Sequence, residues 1–131
     1  MEGWCLVTYE VVINGRLPGM NEYTEAQRCN RHKGAKLKAD SQKTCEWQIK
    51  NQLRGVHITK PIRLHYIWYE RNMRRDLDNV AGFGHKVFQD ALVACRVIDN
   101  DGWKNISGFT DTFAVDREHP RIVVMLEVLD G

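Results

Sequence analysis

The sequence predicts an α+β domain in which two helices pack on a small mixed β-sheet, with its elements in the order β-α-β-α-β-β. Four short runs are rich in Val, Ile, Thr and aromatic residues, two longer stretches have helical periodicity, and Gly, Pro and Asn separate them. With 131 residues, 43% of them apolar, the chain is long enough to bury one core, so we expect a single domain over residues 1–131.

The first half of the chain is predicted to hold one strand and one long helix. A run rich in Val, Thr, Tyr and Ile predicts a strand at 5–13, which ends at an Asn-Gly turn. A Pro/Gly loop occupies 16–21. Helical periodicity then extends over 23–53, and an interruption of the helix is expected near Gly34.

The second strand and the second helix have the clearest apolar patterns. A strand at 61–70 places four large side chains on one face, those of Ile62, Leu64, Tyr66 and Trp68. The next helix, capped by Asp78 or Asn79, is predicted to reach about residue 95. Its apolar positions have the spacing of a core-facing helix: Val80, Gly84, Val87, Phe88, Ala91, Leu92 and Cys95.

Two final strands are predicted at 105–115 and 121–129. The polar residues 116–120 between them favour a turn, so we expect these strands to form a hairpin. The last strand is apolar on both faces at Val123 and Met125, which indicates burial in the core or against a partner.

Composition excludes several classes of protein. No apolar run approaches the roughly 20 residues that cross a bilayer, and the N-terminus lacks the features of a signal peptide, so we expect a cytoplasmic protein without membrane contact. The 4 cysteines and 5 histidines are dispersed without the spacing of a zinc site, so we expect reduced thiols. A net charge of only +2 is a weak sign of nucleic-acid binding.

The distribution of the charge is more informative than its total. Basic residues concentrate between Glu22 and Arg54, and a second basic cluster stands directly before an acidic motif that alone would repel a polyanion. Each cluster by itself is most often a solvated face. The candidates for contact with DNA phosphates are Arg28, Arg31, Lys33, Lys36, Arg74 and Arg75.

The acidic motif, residues 75–79, joins a strand-ending loop to a helix start. In extended backbone, residues i and i+2 point to the same side, so Asp76 and Asp78 would converge while Leu77 turns into the core. Carboxylates beside a helix N-terminus suit Mg²⁺ or Mn²⁺ and an incoming phosphate. In the alternative interpretation, Asp78 only caps the helix and Asp76 pairs with Arg75.

A third carboxylate, that of Asp101, lies in the turn that leaves the second helix. This turn is at the far end of that helix, so the chain has to return for Asp101 to meet Asp76. The sequence does not reveal such a return, and an ordinary Asp-Asn-Asp-Gly surface turn explains these residues equally well.

An ordered set of segments resembles one known family, the RusA-like Holliday-junction resolvases of bacteria, phages and prophages. The matching segments are Leu17-Pro18-Gly19-Met20-Asn21-Glu22-Tyr23, Arg75-Asp76-Leu77-Asp78-Asn79, Lys86, Asp90-Ala91-Leu92 and Asn100-Asp101. The likeness covers residues 5–129. The Asp-Leu-Asp-Asn core alone is modestly specific, whereas the set in this order is strongly specific.

The resemblance implies a homodimeric, Mg²⁺-dependent endonuclease, in which Mn²⁺ can substitute, that resolves four-way DNA junctions by paired symmetric nicks in recombination and repair. Its three catalytic metal ligands, its active-site lysine and a loop asparagine near the catalytic centre correspond to Asp76, Asp78, Asp101, Lys86 and Asn21.

Lys86 departs from the family pattern. In the best-known form of the family, the lysine stands one helical turn after the aspartates, and here four more residues intervene. The alternative to a catalytic role is a salt bridge between Lys86 and Asp90, one turn further along.

Two functions of other classes compete with this interpretation. The chain would be a non-catalytic module for branched DNA if the basic helix contacts phosphates while the aspartates only cap a helix and face solvent. A nucleotide-sugar transferase would use Asp76 and Asp78 to hold a metal-bound diphosphate, but the chain is short for a nucleotide-binding domain and an acceptor site. Mg²⁺-dependent nicking of a four-way junction separates the nuclease from both.

Overall fold

A mixed four-stranded sheet and three helices make up the protein, which the computed structural model describes over residues 7–130. The elements are β1 (Thr8–Asn14), α1 (Met20–Cys29), α2 (Arg31–Gln52), β2 (Ile62–Glu70), α3 (Leu77–Ala94), β3 (Ile106–Val115) and β4 (Arg121–Val128). The α+β class and the small mixed sheet are confirmed, with one helix more than the two expected. Residues 5 and 6 of the first predicted strand lie outside the described residues.

The predicted helical stretch is interrupted, as expected, but at Asn30, four residues before Gly34. Asn30 has extended backbone (φ −166°, ψ 131°) and its side-chain oxygen accepts a hydrogen bond from the His32 N–H (2.7 Å), so it ends α1 and caps α2. Gly34 is buried where α1 and α2 pack against each other. A Cβ at this position would lie only 2.5 Å from Cγ of Gln27. The glycine therefore permits close helix packing.

The sheet has the strand order β1-β4-β2-β3. β4 pairs antiparallel with β1 and β2, and β2 pairs parallel with β3, so the expected hairpin of the last two strands is wrong. After β3, the Asp116 N–H donates to the Glu70 carbonyl at the end of β2 (2.7 Å). The connection then crosses the end of β2, and β4 enters the sheet on the other side of β2. A strand that is apolar on both faces suits the centre, whereas β3, with Gly108 and Asp111, tolerates the edge.

The three helices cover one face of the sheet and enclose the core. The four predicted inward residues of β2 are buried, and so is the predicted stripe of α3 apart from half-buried Cys95, which confirms both patterns. On the opposite face of the sheet, Val123 is half-buried and Met125 is 37% exposed. The expected burial of the last strand therefore holds for one face, which includes Ile122 and Val124.

Two glutamine side chains of α2 occupy the outer edge of β1. The Val12 N–H donates to Oε1 of Gln52 (2.7 Å), and Nε2 of Gln52 donates back to the Val12 carbonyl (2.8 Å). The Asn14 N–H donates to Oε1 of Gln48 (2.9 Å). Side-chain amides thus take the place of a neighbouring strand at this edge.

Two expectations about the chain as a whole concern membranes and cysteines. Within residues 7–130, no helix combines the length and apolar character needed to cross a bilayer. Cys29, Cys45 and Cys95 are free thiols, as expected, and Cys5 lies outside the described residues. Burial raises the pKa of Cys45 to about 12, so this thiol stays protonated at neutral pH.

Candidate functional site

The Pro/Asn loop and the acidic motif meet at the N-terminal end of α3. The side-chain oxygen of Asn79 accepts a hydrogen bond from the Asn21 N–H at 2.7 Å, across 58 positions of sequence. A Cβ at position 19 would lie 2.6 Å from the same oxygen, so the absence of a side chain at Gly19 permits this contact. Asn21 therefore lies beside the acidic motif, which is where the resemblance implied it.

Arg75 ties three segments together at the same place. Its guanidinium donates to both carboxylate oxygens of Glu70 (3.0 and 2.9 Å) and to the Leu17 carbonyl (3.1 Å), and lies 3.5 Å from the Glu22 carboxylate. The side chains of Arg75 and Glu70 are 14% and 13% exposed, so their ion pair is largely shielded from water. Arg75 therefore positions the loop, whereas its neighbour Arg74 is exposed to solvent, where a phosphate can reach it.

Asp76 and Asp78 stand at the first turn of α3. The helix begins at Leu77, which makes Asp76 the N-cap, so the expectation of Asp78 or Asn79 as the cap is wrong. Leu77 is 56% exposed, and its expected burial is also wrong, because Leu77 and Asp78 are already helical and do not alternate as in a strand.

The side chains of both aspartates are accessible. Asp76 has extended backbone (φ −64°, ψ 154°), and within the described chain its carboxylate makes no capping hydrogen bond. Asp78 is exposed in the first helical turn, where the helix dipole stabilises negative charge. The alternative in which Asp76 pairs with Arg75 is not what forms, since Arg75 bonds Glu70. These carboxylates can face a cation.

Asp101 lies at the opposite end of α3. This helix has 18 residues and is about 27 Å long, and Asp101 follows its C-terminal end in the loop before β3. There it lines a shallow depression of about 300 Å³ with Gln89, Trp103 and Phe109. Among residues 7–130, no three His, Cys, Asp or Glu side chains are grouped closely enough to hold a metal ion. One copy of the chain therefore holds Asp76 and Asp78 two residues apart at the start of α3, without Asp101.

Lys86 lies in the third turn of α3. Its Nζ is 3.4 Å from the carboxylate of Asp90, which also pairs with Lys38 of α2 at 3.0 Å. This is the salt bridge that was the alternative to a catalytic role. The Lys86 side chain is 62% exposed, so the pair contributes little to stability and leaves the ammonium group accessible to a phosphate.

The other candidate phosphate contacts lie where α1 meets α2. Arg28 is in the last turn of α1, Arg31, Lys33 and Lys36 are in the first two turns of α2, and all four are exposed. Lys36 pairs with Asp40 at 2.8 Å, and this hydrogen bond raises the pKa of Lys36. The junction of the two helices is therefore a solvated basic surface.

A half-buried polar cluster on the β3 side of α3 was missed by the sequence reasoning. Nε2 of His85 lies 2.7 Å from Oδ1 of Asp111, and Nε1–H of Trp68 donates to the same oxygen at 2.7 Å. The His85 ring also contacts Phe109, with 4.5 Å between ring centroids. A signal was present, since His85 follows Asp78 by seven residues and so shares its helix face, and Asp111 is the acid of β3.

Taken together, the sequence-predicted residues fall into two groups. Asn21, Arg75, Asp76 and Asp78 gather at the N-terminal end of α3, and Asp101 stands at the other end. No model of a known protein family matches the chain, and no curated protein matches it.

Proposed function

We propose that the protein is a Mg²⁺-dependent DNA endonuclease of RusA-like type, which acts as a homodimer and resolves four-way junctions by paired nicks in recombination and repair. The observation that carries the proposal is the 2.7 Å hydrogen bond between Asn21 and Asn79. It joins the loop and the acidic motif, the two longest segments of the family resemblance. Segments that serve one site have to fold to one place, and these two do.

The exposed pair of Asp76 and Asp78 supplies ligands that a hard divalent ion prefers. Carboxylate oxygens suit Mg²⁺ and Mn²⁺, and the N-terminal end of α3 attracts a phosphate. When bound, the ion would activate water and stabilise the leaving oxygen of the cleaved phosphodiester. Asp76 supports this role, because its carboxylate is not occupied by capping within the part of the chain that the structure describes.

In one copy the residues fit such a site only in part, because Asp101 follows the other end of α3. Two copies related by a two-fold axis can complete the site. The axis reverses the direction of α3, and so can place Asp101 of one copy beside Asp76 and Asp78 of the other. The proposed chemistry therefore requires the homodimer, and a dimer with two such sites can nick two strands.

The basic residues would hold the DNA around this site. Arg74 stands two residues before Asp76, and Lys86 lies on the same helix as Asp78, so both can offset the charge of a bound phosphate. The basic surface at the junction of α1 and α2 would contact a more distant part of the backbone. Asn21 would add a polar group beside the aspartates, because its backbone bonds Asn79.

Nicking of a synthetic four-way junction tests the proposal. With Mg²⁺, the wild-type protein should nick two opposing strands, and EDTA should prevent this. Asp78→Asn should abolish nicking and leave junction binding intact or stronger, because one negative charge no longer faces the phosphates. Retained cutting by this variant would refute the assignment of Asp78 as a metal ligand. Equal cutting of four-way, forked and linear duplexes would show that the protein is a general nuclease without selectivity for junctions.

The matched control for that experiment is Asp99→Asn. Asp99 is an aspartate of the same surface loop as Asp101, but its carboxylate pairs with His57 at 2.9 Å. The variant removes the same charge and should cut at the wild-type rate. A loss of nicking equal to that of Asp78→Asn would mean that loop charge, not metal binding, governs activity.

Mixed dimers test whether Asp101 comes from the other copy. Asp76→Asn and Asp101→Asn should each be inactive alone, but their mixed dimer should nick one strand, because one of its two shared sites keeps every aspartate. A mixed dimer of Asp76→Asn with Asp78→Asn should stay inactive, since both of its sites lack a ligand. Absence of rescue in the first mixture, with an active wild type, would contradict the shared site.

A non-catalytic module for branched DNA is the second candidate. It is favoured by the finding that, within residues 7–130, no three suitable side chains are grouped around a metal position. Such a module should bind the junction without nicking it in Mg²⁺ or Mn²⁺, and its affinity should fall with salt as that of the nuclease does. Nicking that depends on both Mg²⁺ and Asp78 would exclude it.

A further inference from the structure

The edge of the sheet formed by β3 carries an unusual number of exposed apolar side chains. Five large ones lie along this strand or at its two ends: Met73 (88% exposed), Leu77 (56%), Trp103 (97%), Phe109 (51%) and Val115 (48%). We call them the β3 edge surface. Exposed apolar side chains that are scattered singly need no explanation, but a run of them usually marks an interaction site.

One end of the β3 edge surface is concave. Beside the N-terminal end of α3 lies a cavity of about 380 Å³ with mainly apolar walls, formed by Met73, Leu77, Val80, Phe113, Ala114 and Val115. Arg75 and Glu70, which are paired with each other, also line it. The cavity suits a large apolar side chain.

The other end of the β3 edge surface projects. Trp103 is 97% exposed and stands two residues after Asp101 and three before β3. An exposed indole gains much from burial against apolar groups. β3 has 10 residues and is about 33 Å long, so Trp103 cannot reach the cavity at the far end of its own copy.

Between the two ends, β3 presents the backbone of an edge strand. In the sheet that residues 7–130 form, β3 pairs with β2 alone, and its sequence contains neither Pro nor Lys, which often protect such edges. The opposite edge is different, because Gln48 and Gln52 bond the backbone of β1. An edge strand that lacks these residues can pair with a second copy of itself.

We propose that two copies of the chain pair through the β3 edge surface, with Trp103 of each copy seated in the cavity of the other. Two β3 strands related by a two-fold axis run antiparallel, so the start of each strand lies beside the end of its partner. Both indoles then meet a cavity at once. The same pairing carries Asp101 toward the partner's Asp76 and Asp78, and this last consequence alone rests on the proposed function.

Sedimentation equilibrium of the free protein, without DNA or metal, tests the pairing. The wild-type chain should be a dimer at micromolar concentration. Trp103→Ala should raise the dimer Kd by about 30-fold or more, as expected for a central aromatic anchor. Trp47→Ala is the matched control, since Trp47 is also exposed (70%) but lies on α2, and it should leave the Kd unchanged.

Two further variants test where Trp103 goes. Trp103→Lys and Val115→Glu should each give a monomer, and the double variant should recover dimers, because the two charges then meet across the interface. A double variant that stays monomeric would overturn the contact. Circular dichroism of the single variants should match the wild type, since both side chains are exposed.

A different dimer interface, or DNA bound at Trp103, would give distinct results. If Met125→Glu, on the open face of the sheet, dissociates the dimer while Trp103→Ala does not, the interface lies on that face and the inference fails. If Trp103→Ala lowers junction affinity with no change in oligomeric state, the indole stacks on DNA and the inference fails. A monomeric wild type also overturns it, whether or not the protein nicks DNA.

Discussion

The two ends of α3 are held in opposite ways. At the N-terminal end, hydrogen bonds of 2.7 to 3.1 Å, donated by Arg75 and accepted by Asn79, join the helix start to β2 and to the Pro/Asn loop. At the C-terminal end, buried Val97 and Ile98 anchor the chain, and residues 99, 100 and 102–104 beyond them are exposed. Side chains join the first end to two other segments, whereas a largely exposed loop follows the second.

This difference between the two ends of α3 agrees with the role that each would have in the proposed nuclease. Two carboxylates that hold one ion need a constant distance from each other, and Asp76 and Asp78 lie between Arg75 and Asn79, whose hydrogen bonds fix this part of the chain. A carboxylate that completes the site of another copy has to project from its own. Asp101 lies on a loop that does so, beside the most exposed tryptophan of the described chain.

Of the variants that test this comparison, loss of the Arg75 side chain should change the free energy of unfolding the most. Arg75→Met leaves Glu70 nearly buried with its main partner removed, and should lower the free energy of unfolding by about 2 to 4 kcal/mol. Urea denaturation followed by circular dichroism measures this. Lys60→Met, which breaks the exposed pair with Asp130, is the control and should leave the midpoint unchanged. Equal midpoints for both variants would mean that the N-terminal end of α3 is not fastened by Arg75.

A double-mutant cycle should give the next largest effect. Gly19→Ala places a Cβ 2.6 Å from Oδ1 of Asn79, and should destabilise the fold by about 1 to 3 kcal/mol through displacement of that side chain. In the Asn79→Ala background, the same change should cost far less, because the clashing atoms are absent. The measurement is denaturation of the four proteins, and additive effects would show that the two residues do not meet.

The opposite end of α3 should tolerate change. Asp99→Asn removes the partner of His57 from a pair that is 50% and 65% exposed on its two sides, and should alter the free energy of unfolding by about 0.5 kcal/mol or less. The same denaturation assay checks it. A loss as large as that of Arg75→Met would show that the two ends are held equally.

Thiol labelling should reveal the difference without a change in stability. In a Cys5→Ser, Cys29→Ser variant, half-buried Cys95 at the C-cap of α3 should react with a thiol reagent at least about tenfold faster than fully buried Cys45. Local opening exposes Cys95, whereas Cys45 needs global unfolding. Mass spectrometry of partly labelled protein gives both rates, and equal rates would mean that this end of α3 opens only with the whole fold.

Most of the fold could be predicted from local pattern. The buried residues follow the two-residue period of β2 and the helical period of α3, and the apolar residues of the sequence have the same two periods. Strand adjacency is not a local property, which is why the last two strands were expected to pair although β4 lies between β1 and β2. The exact position of the break, at Asn30 and not at Gly34, was not predicted, because an Asn side chain competes with the helix only when its own backbone turns extended.

The candidate site was predictable in one half only. The likeness of segments to a family brought Asn21 and the acidic motif under one hypothesis, and the hydrogen bond to Asn79 joins them in space. The distance of Asp101 depends on the parallel pairing of β2 and β3, which sends the chain back along α3 before it re-enters the sheet. His85 and Asp111 meet for the same reason, so the position of His85 on the face of Asp78 was a signal for this cluster only once the strand pairing was known.

The two glutamines that bond the backbone of β1 limit how far the sheet can grow. Amides from α2 already fill the hydrogen-bonding positions of Val12 and Asn14 at the β1 edge, so a full-length strand can be added on the β3 side only. Two copies that join through β3 leave these partly filled edges at the two ends of the joined sheet, which favours an assembly that closes at two over one that extends into a fibre.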